Sequence, residues 1–199
     1  YRDLEFRHAL TLYGGQFNAA KDPAGVAPQA GPLLGVRYDW RLGGPATFTA
    51  RVAHVWSERE IVDPEAVAAA RRLGVQDWSL YLADLGFTIA LTGRKSFYRM
   101  VPVLYAGLGV ASDFKGRDIG DYKFGTAFAL AFGAGVRWVP TGRLELRADV
   151  GDHLYQIKYP SSYYQAASDG TQVLPGTRPQ SLWKHNAALT LGAAYQLFR

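Results

Sequence analysis

The 199-residue sequence predicts an all-β chain. Eight antiparallel strands run up and down and close into a transmembrane β-barrel, with short turns on one rim, long loops on the other and one short helix in the second long loop. Three observations predict it. Apolar and polar residues alternate with a period of two along eight segments, the periodicity of strands rather than helices. Tight turns rich in Gly and Pro alternate with long connections. The face opposite the apolar one carries Gly, Ala, Ser and Thr with isolated charges of both signs.

The first segment sets Leu4, Phe6, Leu10 and Leu12 against Glu5, Arg7, Ala9 and Thr11. The second is sharper, with Leu34, Val36, Tyr38, Trp40 and Leu42 against Gly35, Arg37, Asp39 and Arg41. After Gly43-Gly44-Pro45 the third presents Phe48, Ala50, Val52 and Trp56 against Thr49, Arg51 and Ala53. The fourth runs Tyr81, Ala83, Leu85, Phe87, Ile89 and Leu91, with Asp84, Gly86 and Thr88 opposite. The turn Thr92-Gly93-Arg94-Lys95-Ser96 leads to a fifth strand, Phe97 to Ala111. The sixth carries Phe128, Leu130, Phe132, Val136 and Trp138 against Gly133, Gly135 and Arg137, and Pro140-Thr141-Gly142 turns the chain. The seventh sets Leu144, Leu146, Ala148, Val150 and Leu154 against Glu145, Arg147, Asp149 and His153. The eighth sets Trp183, Ala187, Leu189, Leu191, Ala193, Tyr195 and Leu197 against Asn186, Thr190, Gly192 and Gln196.

The Gly/Pro turns suit tight hairpins. The long connections fall at residues 16–30, 57–76, 112–123 and 158–181. Short turns on one rim and long loops on the other are the pattern of transmembrane barrels. In the second long loop, Asp63-Pro64-Glu65 followed by Ala66 to Leu73 and Gly74 predicts the short helix, with Asp63 as its N-cap and Gly74 as its stop.

Composition agrees with an all-β chain. There are 22 glycines, 14% aromatics and a single methionine. Cysteine is absent, which excludes disulfides, thiolate metal sites and cysteine nucleophiles and leaves the redox compartment open. The net charge of +5 could serve nucleic acid, anionic lipid or neither. No run of five basic residues occurs, so nucleic acid is the poorest of these. No apolar stretch approaches the ~20 residues of a membrane-spanning helix. The start, Tyr1-Arg2-Asp3, has none of the regions of a signal peptide, so the chain either is mature after cleavage or never carried one. One domain, residues 1–199, is expected.

The side of the wall that holds the charge separates membrane from water. A soluble barrel fills its inside with apolar side chains, and a membrane barrel reverses the order. Arg37, Asp39, Arg51, Asp84, Arg137, Glu145, Arg147 and Asp149 balance in sign, and enclosed charges must pair because desolvation is costly. They are read as a network plugging the lumen. Aromatics gather at strand ends: Phe6, Tyr38, Trp40, Phe48, Phe97, Trp138 and Tyr195 toward the short turns, and Trp56, Trp78, Tyr81, Tyr122 and Trp183 toward the long loops. Two girdles of this kind mark the two interfaces of a membrane.

Residues 190–197, Thr-Leu-Gly-Ala-Ala-Tyr-Gln-Leu, resemble the C-terminal β-signal of bacterial outer-membrane proteins, carried here by Thr190, Gly192, Tyr195 and Leu197 with Phe198 following. Arg199 departs from a strictly terminal aromatic. In strand count and loop asymmetry the whole chain is similar to the OmpA-type transmembrane domain and to OmpX-like small barrels. The resemblance implies a porin-like, Gram-negative cell-envelope protein, integral to the outer membrane, and recognition by the outer-membrane assembly machinery during insertion.

No catalytic, metal or cofactor site is expected. His8, His54, His153 and His185 show no metal-ligand spacing. His54 with Ser57, or His185 beside Asn186, could serve a hydrolase acting on lipid A or phospholipid at the outer rim, but interfacial histidines are the plainer reading. A narrow channel would need a water path past Arg37 and Arg147. A soluble barrel of lipocalin type would need Leu34, Leu85, Phe132 and Leu146 to point inward. Arg71, Arg72, Tyr163 and Tyr164 are candidate contacts for lipopolysaccharide phosphates or a partner protein. The expected role is non-enzymatic: a structural barrel, or one that binds through its loops. Outer-membrane lipid and lipopolysaccharide are expected partners, together with a neighbouring envelope or surface protein and no nucleic acid.

Overall fold

The computed structural model describes residues 7–93, 95–140 and 143–197. Leu4, Phe6, Arg94, Thr141, Gly142 and Phe198, which carry parts of the sequence reading, lie outside them. The strands are β1 (His8–Ala19), β2 (Gly31–Gly43), β3 (Ala46–Val62), β4 (Arg72–Ala90), β5 (Met100–Ser112), β6 (Thr126–Trp138), β7 (Leu144–Lys158), β8 (Ser181–Lys184) and β9 (Asn186–Gln196). β8 and β9 form one stave interrupted at His185, so the barrel has eight staves. Each strand pairs antiparallel with its neighbour, β9 returns to β1, and a β6–β7 ladder completes the circle. Closure leaves the spanning part of the wall no open edge, the condition for backbone to cross an apolar medium.

Strand periodicity translates directly into orientation. Leu34, Leu85, Phe132 and Leu146 point outward and are 40–57% exposed, which removes the lipocalin reading. Arg37, Asp39, Asp84, Arg137, Glu145 and Arg147 are buried inside. The outward face carries leucine, valine, isoleucine and aromatic side chains in a continuous belt, the order that suits lipid rather than water. Two glycines have a specific duty inside. A Cβ on Gly35 would lie 2.5 Å from the Tyr13 ring, and one on Gly107 would lie 2.2 Å from the Tyr105 hydroxyl. Each gives floor space to a tyrosine laid across the wall, as a narrow interior requires.

The second long connection differs from its predicted form. The β3–β4 ladder continues to Val62↔Arg72, so most of residues 57–76 is a hairpin standing beyond the barrel. The predicted helix is absent: residues 63–71 form turns, and Leu73 already belongs to β4. The Asp63 carboxylate accepts from the Glu65 amide over 3.0 Å, a local turn rather than a helix cap. Each further strand pair leaves fewer residues for a helix, and one or two turns of helix in water do not repay their nucleation cost. A short 3₁₀ turn, Ser161–Tyr164, is the regular helical segment among the described residues.

Two aromatics predicted for the outer girdle are elsewhere. Trp78 lies inside the wall, its Nε1 donating to Asp113 over 3.1 Å, and Tyr122 is buried beneath the loops. Trp56, Tyr81 and Trp183 do face outward near the long-loop rim.

Candidate functional site: the filled lumen and its loop cap

The lower and middle lumen, toward the short turns, holds a continuous polar network. The inward positions of β2, β3, β4, β6, β7 and β9 bring its members together. Arg137 grips Glu145 with two parallel bonds of 2.6 Å each, and Gln196 donates to the same carboxylate over 2.8 Å. Arg147 reaches Asp39 over 3.0 Å, Glu145 over 3.5 Å and Asp149 over 3.4 Å. The Arg37 Nε donates to both oxygens of Asp39 over 2.9 Å, and its terminal nitrogen reaches the Thr88 hydroxyl over 2.7 Å. Thr49 donates to Asp39 over 2.6 Å. These contacts link six strands of the wall, β2, β3, β4, β6, β7 and β9, through charge-assisted bonds, the stronger kind.

A second group sits higher. Arg51 donates to Asp84 over 2.8 Å, and the Tyr105 hydroxyl also donates to that carboxylate. The Arg51 guanidinium lies 3.9 Å from the Tyr105 ring centroid, a cation–π stack. His153 stands 3.7 Å from the far oxygen of Asp84. The eight charged residues singled out in the sequence thus line the lumen in two ion-paired groups, Arg37, Asp39, Arg137, Glu145, Arg147 and Asp149 below and Arg51 with Asp84 above.

The outer half of the lumen is different in kind. Phe17, Leu33, Ala53, Val55, Leu80, Leu82, Ala129, Tyr155 and Ile157 fill it as an apolar core. Between this core and the network remains a void of about 30 Å³, bounded by Tyr13, Arg51, Asp84, Tyr105 and His153. That is room for a water or two.

Three long loops close over the apolar half. Ala24, Val26 and Ala27 of the first, Tyr122 of the third and Tyr159, Tyr163 and Leu174 of the last are buried in the same cluster. Arg59 joins them. It has 1% of its side chain exposed, pairs with Asp118 and donates to the Val26 carbonyl over 3.0 Å. Its guanidinium lies 4.0 Å from the Trp78 ring centroid, with Lys115 3.7 Å from the same ring. Asp22 accepts the Tyr159 hydroxyl and the Ala27 amide, tying the first loop to the last. Burial raises the hydroxyl pKa of Tyr122, Tyr159 and Tyr163 above the ordinary tyrosine value, and nearby carboxylates add to it: Asp22 at Tyr122 and Tyr159, Asp118 at Tyr163. At the loop surface Asp169 accepts from the Thr171 hydroxyl and from the Ala68 and Thr171 amides, which hold its pKa down at about 2.

The four loop residues expected to meet a partner divide. Arg71 is buried and bonded to Thr171, and Tyr163 is buried in the cap, so neither presents a surface. Arg72 is exposed beside Glu60, and Tyr164 is half-buried, donating to the Pro179 carbonyl over 2.9 Å. Thr190, Gly192 and Tyr195 lie along β9, with Tyr195 outward, and Leu197 follows the strand. His54 points outward, whereas Ser57 points inward and bonds the Gln29 carbonyl over 2.7 Å, so that pair cannot form a hydrolase site. Three residues apart on a strand means opposite faces. Among the described residues no group of His, Asp and Glu is placed to hold a metal.

Sequence reasoning missed Arg59 because residues 57–76 read as loop. The inward alternation Ser57–Arg59 was its only signal. It also passed over Asp152, a carboxylate on the outward face of β7 between Val150 and Leu154.

No protein-family model matches the sequence, and no curated protein matches it either. Solved structures share its fold. Neisserial surface protein A matches at 14% identity over 96% of this chain and 97% of that one, with a TM-score of 0.59. The outer membrane protein OprG of Pseudomonas aeruginosa matches at 12% identity over 98% of each chain, with a TM-score of 0.57. The E. coli outer membrane protein W matches at 13% identity over 98% of this chain and 100% of that one, with a TM-score of 0.51. The fold is thus that of small outer-membrane barrels.

Proposed function

We propose that this chain is an integral protein of the bacterial outer membrane, a closed barrel without enzymatic activity that acts through its surface rather than its lumen. The observation that carries the reading is the pairing of an outward apolar belt with an interior filled along its length by ion pairs below and apolar packing above. Charges that would be ruinous in lipid neutralise one another inside. An eight-strand barrel has room for side chains and little else. The apolar upper half and the three-loop cap argue against a water path past Arg37 and Arg147, so the interior is assigned the role of a plug.

The residues 190–198 act as the signal read by the assembly machinery, and the surrounding lipid includes lipopolysaccharide. Contact with another envelope or surface protein falls to the β3–β4 hairpin. β4 meets β5 only from Tyr81 onward, so among the described residues its edge over residues 73–80 has β3 as its sole ladder partner. Leu73 and Val75 are 54% and 60% exposed there. An open edge with apolar side chains accepts an added strand.

The test is reconstitution. The purified chain should run differently boiled and unboiled on a detergent gel and should give no single-channel steps in planar bilayers. Identical mobility would remove the membrane assignment, and ion conductance would remove the plug.

A further inference from the structure

The outward belt carries a cluster of polar side chains in one place. On the wall formed by β7, β8, β9 and β1, inward of Trp183 and its partner Gln156, the polar residues Gln16, Asn18, Asp152 and His185 face away from the lumen. Asp152 and Asn18 are the two cross-strand partners of Ala187, which forms a shallow seat between them. His185 lies two residues before Ala187 on the same face. The His185 Nδ1 stands 2.5 Å from one Asp152 oxygen, and the Asn186 amide donates to the other over 2.6 Å. The His185 Nε2 and the Asn18 amide group have no hydrogen-bond partner among the described residues.

The depth of Asp152 makes it costly. Asp152 lies four residues down β7 from Gln156, the partner of the girdle residue Trp183. At ~3.3 Å per residue and a tilt of ~40°, that is roughly 10 Å inside the outer girdle. An ionisable residue at such a depth on a lipid-facing wall is rare and marks function.

Directly below the cluster runs a groove of about 920 Å³, open to the outside. Its floor is made by Ala106, Ala134 and Ala187 with Gly133 and Gly151, and its sides by larger residues such as Phe87 and Phe132. Small residues in a row of bulky neighbours leave a channel across the face of the sheet.

We infer that this groove seats one acyl chain of an outer-leaflet lipid, with the carbonyl and hydroxyl groups at the head of that chain held by Asn18 and the His185–Asp152 pair. The inference rests on the membrane reading above. Two observations select a lipid as occupant. The groove is continuous with the belt that already meets lipid. Its polarity also runs as a lipid's does, polar toward the long-loop rim and apolar toward the short turns. Asn18 and His185 lie nearer the outer girdle than Asp152, at the level of a lipid's linkage groups: the Asn18 amide can donate to an ester or amide carbonyl, and the His185 Nε2, with Nδ1 turned to Asp152, can accept from a lipid hydroxyl or amide N–H.

The experiment refolds the chain into phosphatidylethanolamine vesicles, with or without lipopolysaccharide, extracts it in mild detergent and weighs it by native mass spectrometry. One lipid should remain per barrel, and its mass identifies which of the two lipids is preferred. Ala134→Phe and Ala187→Phe, which fill the groove with apolar bulk, should each lower retention by about tenfold or more. Asn18→Leu and His185→Leu should lower it less, while Ala50→Phe, outward on β3, should leave it unchanged. Equal retention by all variants would overturn the site. So would a two-chain mass that Ala187→Phe dissolves, since the face would then be an interface between copies. Heat-modifiable mobility of each variant keeps failure of this site distinct from failure of the membrane reading.

Discussion

Replacing Glu145 with alanine tests the interior network at its most enclosed point. The Glu145 side chain is 1% exposed and that of Arg137 6%, and the two share a pair of 2.6 Å bonds. Gln196 and Arg147 also lean on the same carboxylate. Removing it strands Arg137 without a partner in a site water does not reach. A buried donor to a charged group left unsatisfied costs about 1.5–3 kcal/mol, so losing both bonds costs about 3–6 kcal/mol. Breaking buried pairs by removing one partner generally costs about 3–5 kcal/mol. We expect a loss of about 4 kcal/mol in urea unfolding of the lipid-reconstituted barrel, read by tryptophan fluorescence and by gel mobility. The double variant Arg137→Met/Glu145→Leu should recover most of it, because the stranded charge is gone. A cost for Glu145→Ala below about 1 kcal/mol, or a double variant weaker than the single one, would refute the claim that these charges are enclosed and mutually dependent.

Other consequences follow from the same geometry. Leu85→Arg puts a charge on the outward belt and should destabilise the barrel in bilayers by about 2–4 kcal/mol, measured by reversible unfolding. Arg59→Ala frees the first and third loops from Trp78, so limited proteolysis should cut those loops faster while the barrel core stays resistant. The Asp169 contacts depend on its ionised form. Its pKa is about 2 when folded against about 4 unfolded, so they are fully present above pH about 4 and are lost as pH falls toward 2. The protection factor of the Ala68 amide, its exchange rate relative to the unstructured rate at the same pH, should fall over that window and stay constant above it.

Much of the barrel was legible because a strand with one face in lipid and one inside must alternate, and β2 and β6 alternate almost without error. The enclosed charges were legible for the same reason: Arg37, Asp84 and Arg147 occupy the parity opposite Val36, Leu85 and Leu146. The β3–β4 extension was not. Above the membrane both faces of a hairpin meet water or loops, so Glu58, Glu60 and Gln76 read as loop although they lie in strands. The run Val67 to Ala70 favours helix locally, and the ladder closing at Val62↔Arg72 overrides it. The apolar upper lumen was hidden because Leu33, Val55 and Leu80 sit at parities where polar residues were expected. A capped lumen needs apolar packing there, and the sequence of one strand does not say which loops will fold over it.

The most direct measurement of the account is the orientation of the wall. The chain has no cysteine, so single cysteines carrying a spin label report one site each. Labels on Leu85, Leu108 and Leu191 in reconstituted bilayers should collide readily with lipid-dissolved oxygen and scarcely with an aqueous nickel chelate, while one on Ala129 should be shielded from both. Strong collision of the chelate with the three leucine sites, or of oxygen with Ala129 alone, would contradict it.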